Sequence, residues 1–150
     1  MTPERENEYS ELLAYVGLFA TLVWRIDPAS EIHPANVIKG IVQQFGKSKA
    51  LVGLRQAAND TIEETSSWNM EARAIADEGF RAAGVVTVSE ITRRYSASYR
   101  RIAKRGFIKS DTEYYVIHGV LVDHGNLISD DERAYLQRLC EKYKEKSDEV

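Results

Sequence analysis

A chain of 150 residues, 43% hydrophobic and 29% charged with three prolines, has the composition of one globular domain over 1–150 and leaves little room for a disordered linker. The formal net charge of −3 and pI near 5.7 exclude a bulk polycation of the kind that coats nucleic acid. The single cysteine, Cys140, excludes an internal disulfide scaffold and fits a reducing, cytoplasmic compartment.

Glu4, Glu6, Glu8 and Glu11 against one Arg5 are the opposite of a basic signal-peptide n-region. The apolar run 12–24 is thirteen residues long, short of the about 20 that a bilayer core requires, so it reads as a buried helix and no membrane partner is expected. The first helix is predicted over 4–26, stopping before Asp27-Pro28 because a residue preceding proline avoids the helical region. Leu12, Tyr15, Val16, Phe19, Val23 and Ile26 form its main stripe. Leu13, Leu18 and Trp24 fall on other faces, which makes this helix the centre of the core and also suits it to homo-oligomer formation.

His33-Pro34 reads as a helix entry, with Val37, Ile38, Ile41, Val42 and Phe45 as the buried side and Gly46 as the stop. The next helix uses Leu51, Val52, Leu54 and Ala58 and then meets the polar stretch 59–67, which is an exposed continuation or a loop. Trp68, Ala72, Ile75, Ala76, Gly79 and Ala83 recur at helical spacing, and their mostly small side chains predict close approach of a neighbouring helix before a stop at Gly84.

The segment that follows is the most unusual part of the chain. Arg93, Arg94, Arg100, Arg101, Lys104, Arg105 and Lys109 are seven of the twenty basic residues, against the one acid Glu90. Seven minus one is a local +6, so the rest of the chain carries −9 and the molecule is electrically polarised. The string 87–106 resembles a helix-turn-helix, with Ile91 and Tyr95 as core positions of a first helix, Ser96-Ala97-Ser98 as the turn and Ile102 anchoring a short recognition helix. A glycine common in such turns is Ser96 here. The rival is one continuous helix over 88–105. At about 100° per residue, Val88, Ile91, Tyr95, Tyr99 and Ile102 share one narrow arc and the cations occupy the other side. That unbroken phase selects the continuous helix.

Ser110-Asp111-Thr112-Glu113 and Ser129-Asp130-Asp131-Glu132 match the capping box and predict two more helix starts. The stretch 114–122 is rich in aromatic and β-branched residues, which also suits a strand, but a helix is the preferred assignment. The last helix turns Tyr135, Leu136, Leu139, Cys140 and Tyr143 inward, which makes Cys140 a small core hydrophobe rather than a nucleophile. The expected fold is therefore all-α, a bundle of six to seven helices around an apolar N-terminal one.

No phosphate loop, nucleophile elbow or paired-cysteine motif is present in the sequence, and no cofactor is expected. His118, Asp123 and His124 have metal-ligand chemistry, but the histidines are six apart and no motif supplies a fourth ligand. Glu63-Glu64 and Asp130-Asp131 sit in polar surroundings that raise no carboxyl pKa toward general acid work. The expectation is a non-enzymatic regulator, adaptor or inhibitor that docks the basic helix 88–105 on an acidic protein partner. The alternative is a DNA- or RNA-binding regulator using the helix-turn-helix at 87–106. Against both stands a solvated basic face neutralised by acids of the same molecule. Helical continuity through 96–98 separates the two functional readings.

Overall fold

The computed structural model describes residues 1–123 and 128–148, and among them it contains eight helices and no strand. The fold is all-α, as the sequence predicts. None of the helices is long and apolar enough to cross a membrane.

The first helix, α1 (Pro3–Leu22), starts with the Thr2 hydroxyl accepting the Arg5 amide at 3.2 Å. It ends four residues before the expected Ile26. The Trp24 amide turns back to the Phe19 carbonyl (3.3 Å) and the Ile26 amide to that of Ala20 (3.0 Å), with Arg25 left-handed at φ 55. This closure sets the Trp24 ring edge-on to Phe19 at 5.0 Å, so the indole joins the core by reversing direction rather than by extending the helix.

Helix α2 (Pro34–Phe45) is capped by the His33 ring, whose Nδ1 accepts the Ala35 amide at 3.2 Å. Of its five expected inward residues only Ile38 is buried, whereas Val37 and Phe45 are exposed. The helix packs on α1 and on α3 (Lys47–Thr65) at the margin of the bundle, where a narrow stripe suffices. The polar stretch 59–67 continues α3 to Thr65. Thr61 and Thr65 are buried there and return their hydroxyls to the Ala58 (2.7 Å) and Thr61 (2.9 Å) carbonyls.

Helix α4 (Met70–Ala82) corrects the small-residue stripe. Ile75 and Gly79 face outward, and a Cβ added at Gly79 would meet nothing within 4 Å. The buried positions are Arg73, Asp77 and Phe80, an i, i+4, i+7 face with two charges in it. Close helix approach occurs instead at Gly119, where a Cβ would lie 3.0 Å from Ser89 Oγ and 3.5 Å from Arg73 Cδ.

The basic segment is two helices, α5 (Val88–Tyr95) and α6 (Ala97–Arg105), which overturns the continuous helix over 88–105 and supplies the eighth element. Ser96 between them is extended (φ −78, ψ 120); its amide closes α5 on the Thr92 carbonyl and its hydroxyl accepts the Tyr99 amide at 3.0 Å to open α6. The unbroken phase concealed the break because the apolar stripe serves two different cores. Val88 and Ile91 pack with Leu12, Tyr15, Phe19, Leu51, Leu54 and Phe80. Tyr99 and Ile102 pack with the second core, formed with α7 (Asp111–Val122) and α8 (Asp130–Asp148) around Ile117, Val120, Leu136 and Leu139. Each helix keeps its own i, i+3 pair, so the spacing is the same whether or not the chain changes direction between them.

The stretch 114–122 is helical and lies within α7, and both serines of the capping boxes accept the expected amides, Glu113 at 3.2 Å and Glu132 at 3.1 Å. Cys140 is buried, and burial pushes its thiol up to about 11, which suits a core residue.

Candidate functional site

The +6 stretch separates into two electrostatically different halves. On α5, Glu90 is 1% exposed and receives both arginines that follow it. Arg93 forms a fork to it through Nε and Nη2, both at 2.7 Å, and Arg94 Nε reaches the same carboxylate at 2.7 Å. Arg94 Nη1 also binds Glu11 on α1, and Arg93 Nη1 lies 3.8 Å from Glu132 on α8. The hydrogen bonds to Glu90 raise the Arg93 pKa above its ordinary value. These arginines join α5 to α1 and α8, and their charge is neutralised within the molecule.

The α5 tyrosine and serine serve the same anchoring. Tyr95 donates to Glu8 on α1 at 2.7 Å, and the Ser89 amide and hydroxyl both donate to Asp77 on α4, the amide at 3.0 Å. Asp77 is buried, and desolvation lifts its carboxyl to about 6 against the lowering effect of the Ser89 hydrogen bonds. At the head of α5, the Thr87 hydroxyl donates to buried Asp123 at 2.6 Å, which also takes Arg81 at 2.7 Å.

On α6 the picture reverses. Arg100, Arg101, Lys104 and the following Lys109 are exposed, and none forms an ion pair with a described carboxylate. Among the described residues, the one side-chain hydrogen bond of these four is from Arg100 to the Arg94 carbonyl at 3.3 Å. Arg105 is the exception of this half, bonded to Glu113 and to the Phe107 carbonyl at 2.9 Å. The inward face of α6 is Tyr99 and Ile102, with the Tyr99 hydroxyl donating to Glu132 at 3.0 Å. Burial and that carboxylate raise the phenol pKa, so it stays a donor. Neither Tyr95 nor Tyr99 is placed to stack on a base.

Of the seven predicted residues, the fold thus leaves Arg100, Arg101, Lys104 and Lys109 exposed with no ion pair to a described carboxylate and uses Arg93, Arg94 and Arg105 internally. The sequence reading missed Glu90, Asp77 and Arg73. A lone acid in a basic run, and an Arg and Asp four apart on a helix, both look like solvated surface, and only their burial distinguishes them. The residues set aside as metal ligands are otherwise occupied: His118 stacks on Tyr114 at 5.5 Å and Asp123 holds Arg81 and Thr87, while His124 lies outside the described residues.

No protein-family model, curated protein or solved structure matches the chain.

Proposed function

We infer that this chain is a non-enzymatic nucleic-acid-binding regulator that presents α6 to a phosphate backbone. The observation that supports this reading is the break at Ser96, which separates a buried, internally neutralised helix from a following helix whose exposed Arg100, Arg101 and Lys104 have no carboxylate partner among the described residues. Helix-turn-helix modules divide the work in this way, with one helix held in the core and the next laid against the duplex. Guanidinium and ammonium groups on exposed stems are suited to phosphate oxygens.

The reading is quantitative. Four of the segment's seven basic residues form no ion pair with a described carboxylate, so if these four make the phosphate contacts the logarithm of the binding constant for duplex DNA should fall with the logarithm of salt concentration at a slope of about −4, from about 0.9 counterion released per phosphate contact. Fluorescence anisotropy with labelled duplex and single-stranded oligonucleotides over a salt series measures it. The double reversal Arg101→Glu/Lys104→Glu should abolish the signal and leave the melting temperature unchanged. Absence of binding at low salt, or binding indifferent to that reversal, removes the proposal.

A second reading, an acidic protein partner, is favoured by a different observation. Phe107 is half exposed immediately after α6 and stands under the Arg105 guanidinium at 4.8 Å, an aromatic of the kind enriched in protein interfaces. Capture of a stoichiometric protein that resists nuclease and is lost in Phe107→Ala would place this reading first.

A further inference from the structure

A cleft of about 260 Å³ lies between the turn that ends α6 and the second half of α8. Two hydrogen bonds hold α8 in place beside it, from the Tyr135 hydroxyl to the Ala103 carbonyl on α6 and from the Tyr143 hydroxyl to Asp111 on α7, each at 2.5 Å. The apolar surface of the cleft comes from Phe107, Ile108, Leu139 and Tyr143. Ile108 and Leu139 are buried, whereas Phe107 is 50% exposed. Phe107 is nevertheless held in place. Arg105 donates to its carbonyl through Nε at 3.1 Å and Nη2 at 2.9 Å, and the same guanidinium covers its ring at 4.8 Å.

Charge surrounds this apolar floor. Leu139, Lys142, Tyr143 and Lys146 recur at i, i+3, i+4 and i+7, so one face of α8 brings both apolar side chains and both ammonium groups to the cleft. Lys142 and Lys146 are exposed and form no ion pair with a described carboxylate. Lys109, one residue beyond Ile108, is a third such cation. Among the described residues Glu145 is the one acid in the wall, and Asp111, which meets Tyr143, is committed to its hydroxyl. An apolar floor with a net positive rim complements a segment of the opposite make-up, an apolar side chain flanked by acids. Pockets that enclose a small molecule usually hold about 300–1,000 Å³, and this smaller cleft suits one side chain of a partner rather than a whole metabolite. A nucleobase set on the aliphatic floor would bury its polar edge, a cost that an apolar side chain does not carry.

We propose that this cleft docks a short acidic segment of a partner protein, with one large apolar side chain seated against Phe107, Ile108 and Leu139 and flanking carboxylates paired with Lys142, Lys146 and Lys109. The proposal rests on the acidic-partner reading and names the element of the partner that docks. Exposed lysine–carboxylate pairs are individually weak, so the apolar anchor holds the segment and the lysines select for acids beside it.

The test is selection of peptides from a random displayed library on the full chain, followed by fluorescence anisotropy of the enriched sequences. Enriched peptides should carry aspartate or glutamate on both sides of one leucine, phenylalanine or tryptophan. Replacing that apolar residue with serine should abolish binding. Lys142→Glu/Lys146→Glu should weaken it by about tenfold or more, since attraction becomes repulsion at two positions. Neither lysine has a described charge partner, so this variant should melt at the wild-type temperature. Arg101→Glu/Lys104→Glu should change the affinity by no more than about twofold, which separates the cleft from the α6 surface. No enrichment, enrichment of sequences without acids, or binding that survives Lys142→Glu/Lys146→Glu overturns the proposal. So does a dimer in sedimentation that the same substitution dissolves while no peptide is enriched, which makes a second copy the occupant. An oligonucleotide signal lost in the same way overturns it in favour of nucleic acid. A stoichiometric protein captured through Phe107 without any enriched peptide overturns the docked segment and leaves the acidic-partner reading in place.

Discussion

Helices α5 and α6 are adjacent and both basic, with two arginines on α5 and four cations on α6, yet α5 is held by its charges and α6 displays three of its four. The difference arises from acids supplied by other parts of the chain. Glu90, Glu11 and Glu132 converge on Arg93 and Arg94, whereas no described acid converges on Arg101, Lys104 or Lys109. A local charge of +6 in the sequence therefore leaves about four cations without a described partner, and only these are available to a binding partner.

The largest effect should come from removing the acid on which the α5 arginines converge. Glu90→Ala leaves two half-buried guanidinium groups short of their shared carboxylate and should cost about 4 kcal/mol, read as a lowered urea midpoint. A cost below about 1 kcal/mol would mean that α5 is anchored by its apolar face alone.

Next is the pH dependence of the Asp77–Ser89 tie. A carboxyl raised from 3.8 to about 6 in the folded chain binds more protons folded than unfolded. Its contribution is therefore complete at pH values below 3.8 and is lost as pH rises through about 6. The shift corresponds to about 3 kcal/mol. Asp77→Asn cannot ionise, so its stability relative to wild type should improve by about that amount between pH 3.5 and pH 7. Parallel profiles for the two proteins would show that Asp77 titrates near its ordinary value.

Ser96→Ala should cost about 1 kcal/mol by removing the hydroxyl that accepts the Tyr99 amide. Because the same residue directs α6, the variant should also broaden the amide resonances of 97–105 while leaving those of α5 sharp. Smallest of all, Arg101→Glu/Lys104→Glu should change stability by no more than about 0.5 kcal/mol, since these side chains have no charge partner among the described residues. The ordering from Glu90 to Lys104 is the comparison in energetic form, and an α6 reversal as costly as Glu90→Ala would erase it.

Helix positions were largely legible in the sequence because caps and breakers act locally. Pro34 at a first turn, Gly46 and Gly84 at stops, and Ser110 and Ser129 at starts each do their work within a few residues. Faces were less legible. The small residues of α4 look like a packing stripe until α3, α5 and α7 are placed, after which Arg73, Asp77 and Phe80 are the inward side.

The candidate surface was legible to the same degree, for the same reason. The sequence by itself determined an all-α chain, its helix starts, a buried Cys140 and a basic segment at 88–109, since each depends on periodicity, local hydrogen bonding or composition. Only the tertiary structure decided that this segment breaks at Ser96, that three of its arginines are consumed, and that Arg73 is buried against the carbonyls of Thr65 and Trp68. Those outcomes depend on which distant acids and carbonyls come within hydrogen-bonding reach, as Glu11 meets Arg94 across 83 residues, and helical spacing carries no information about contacts of that range.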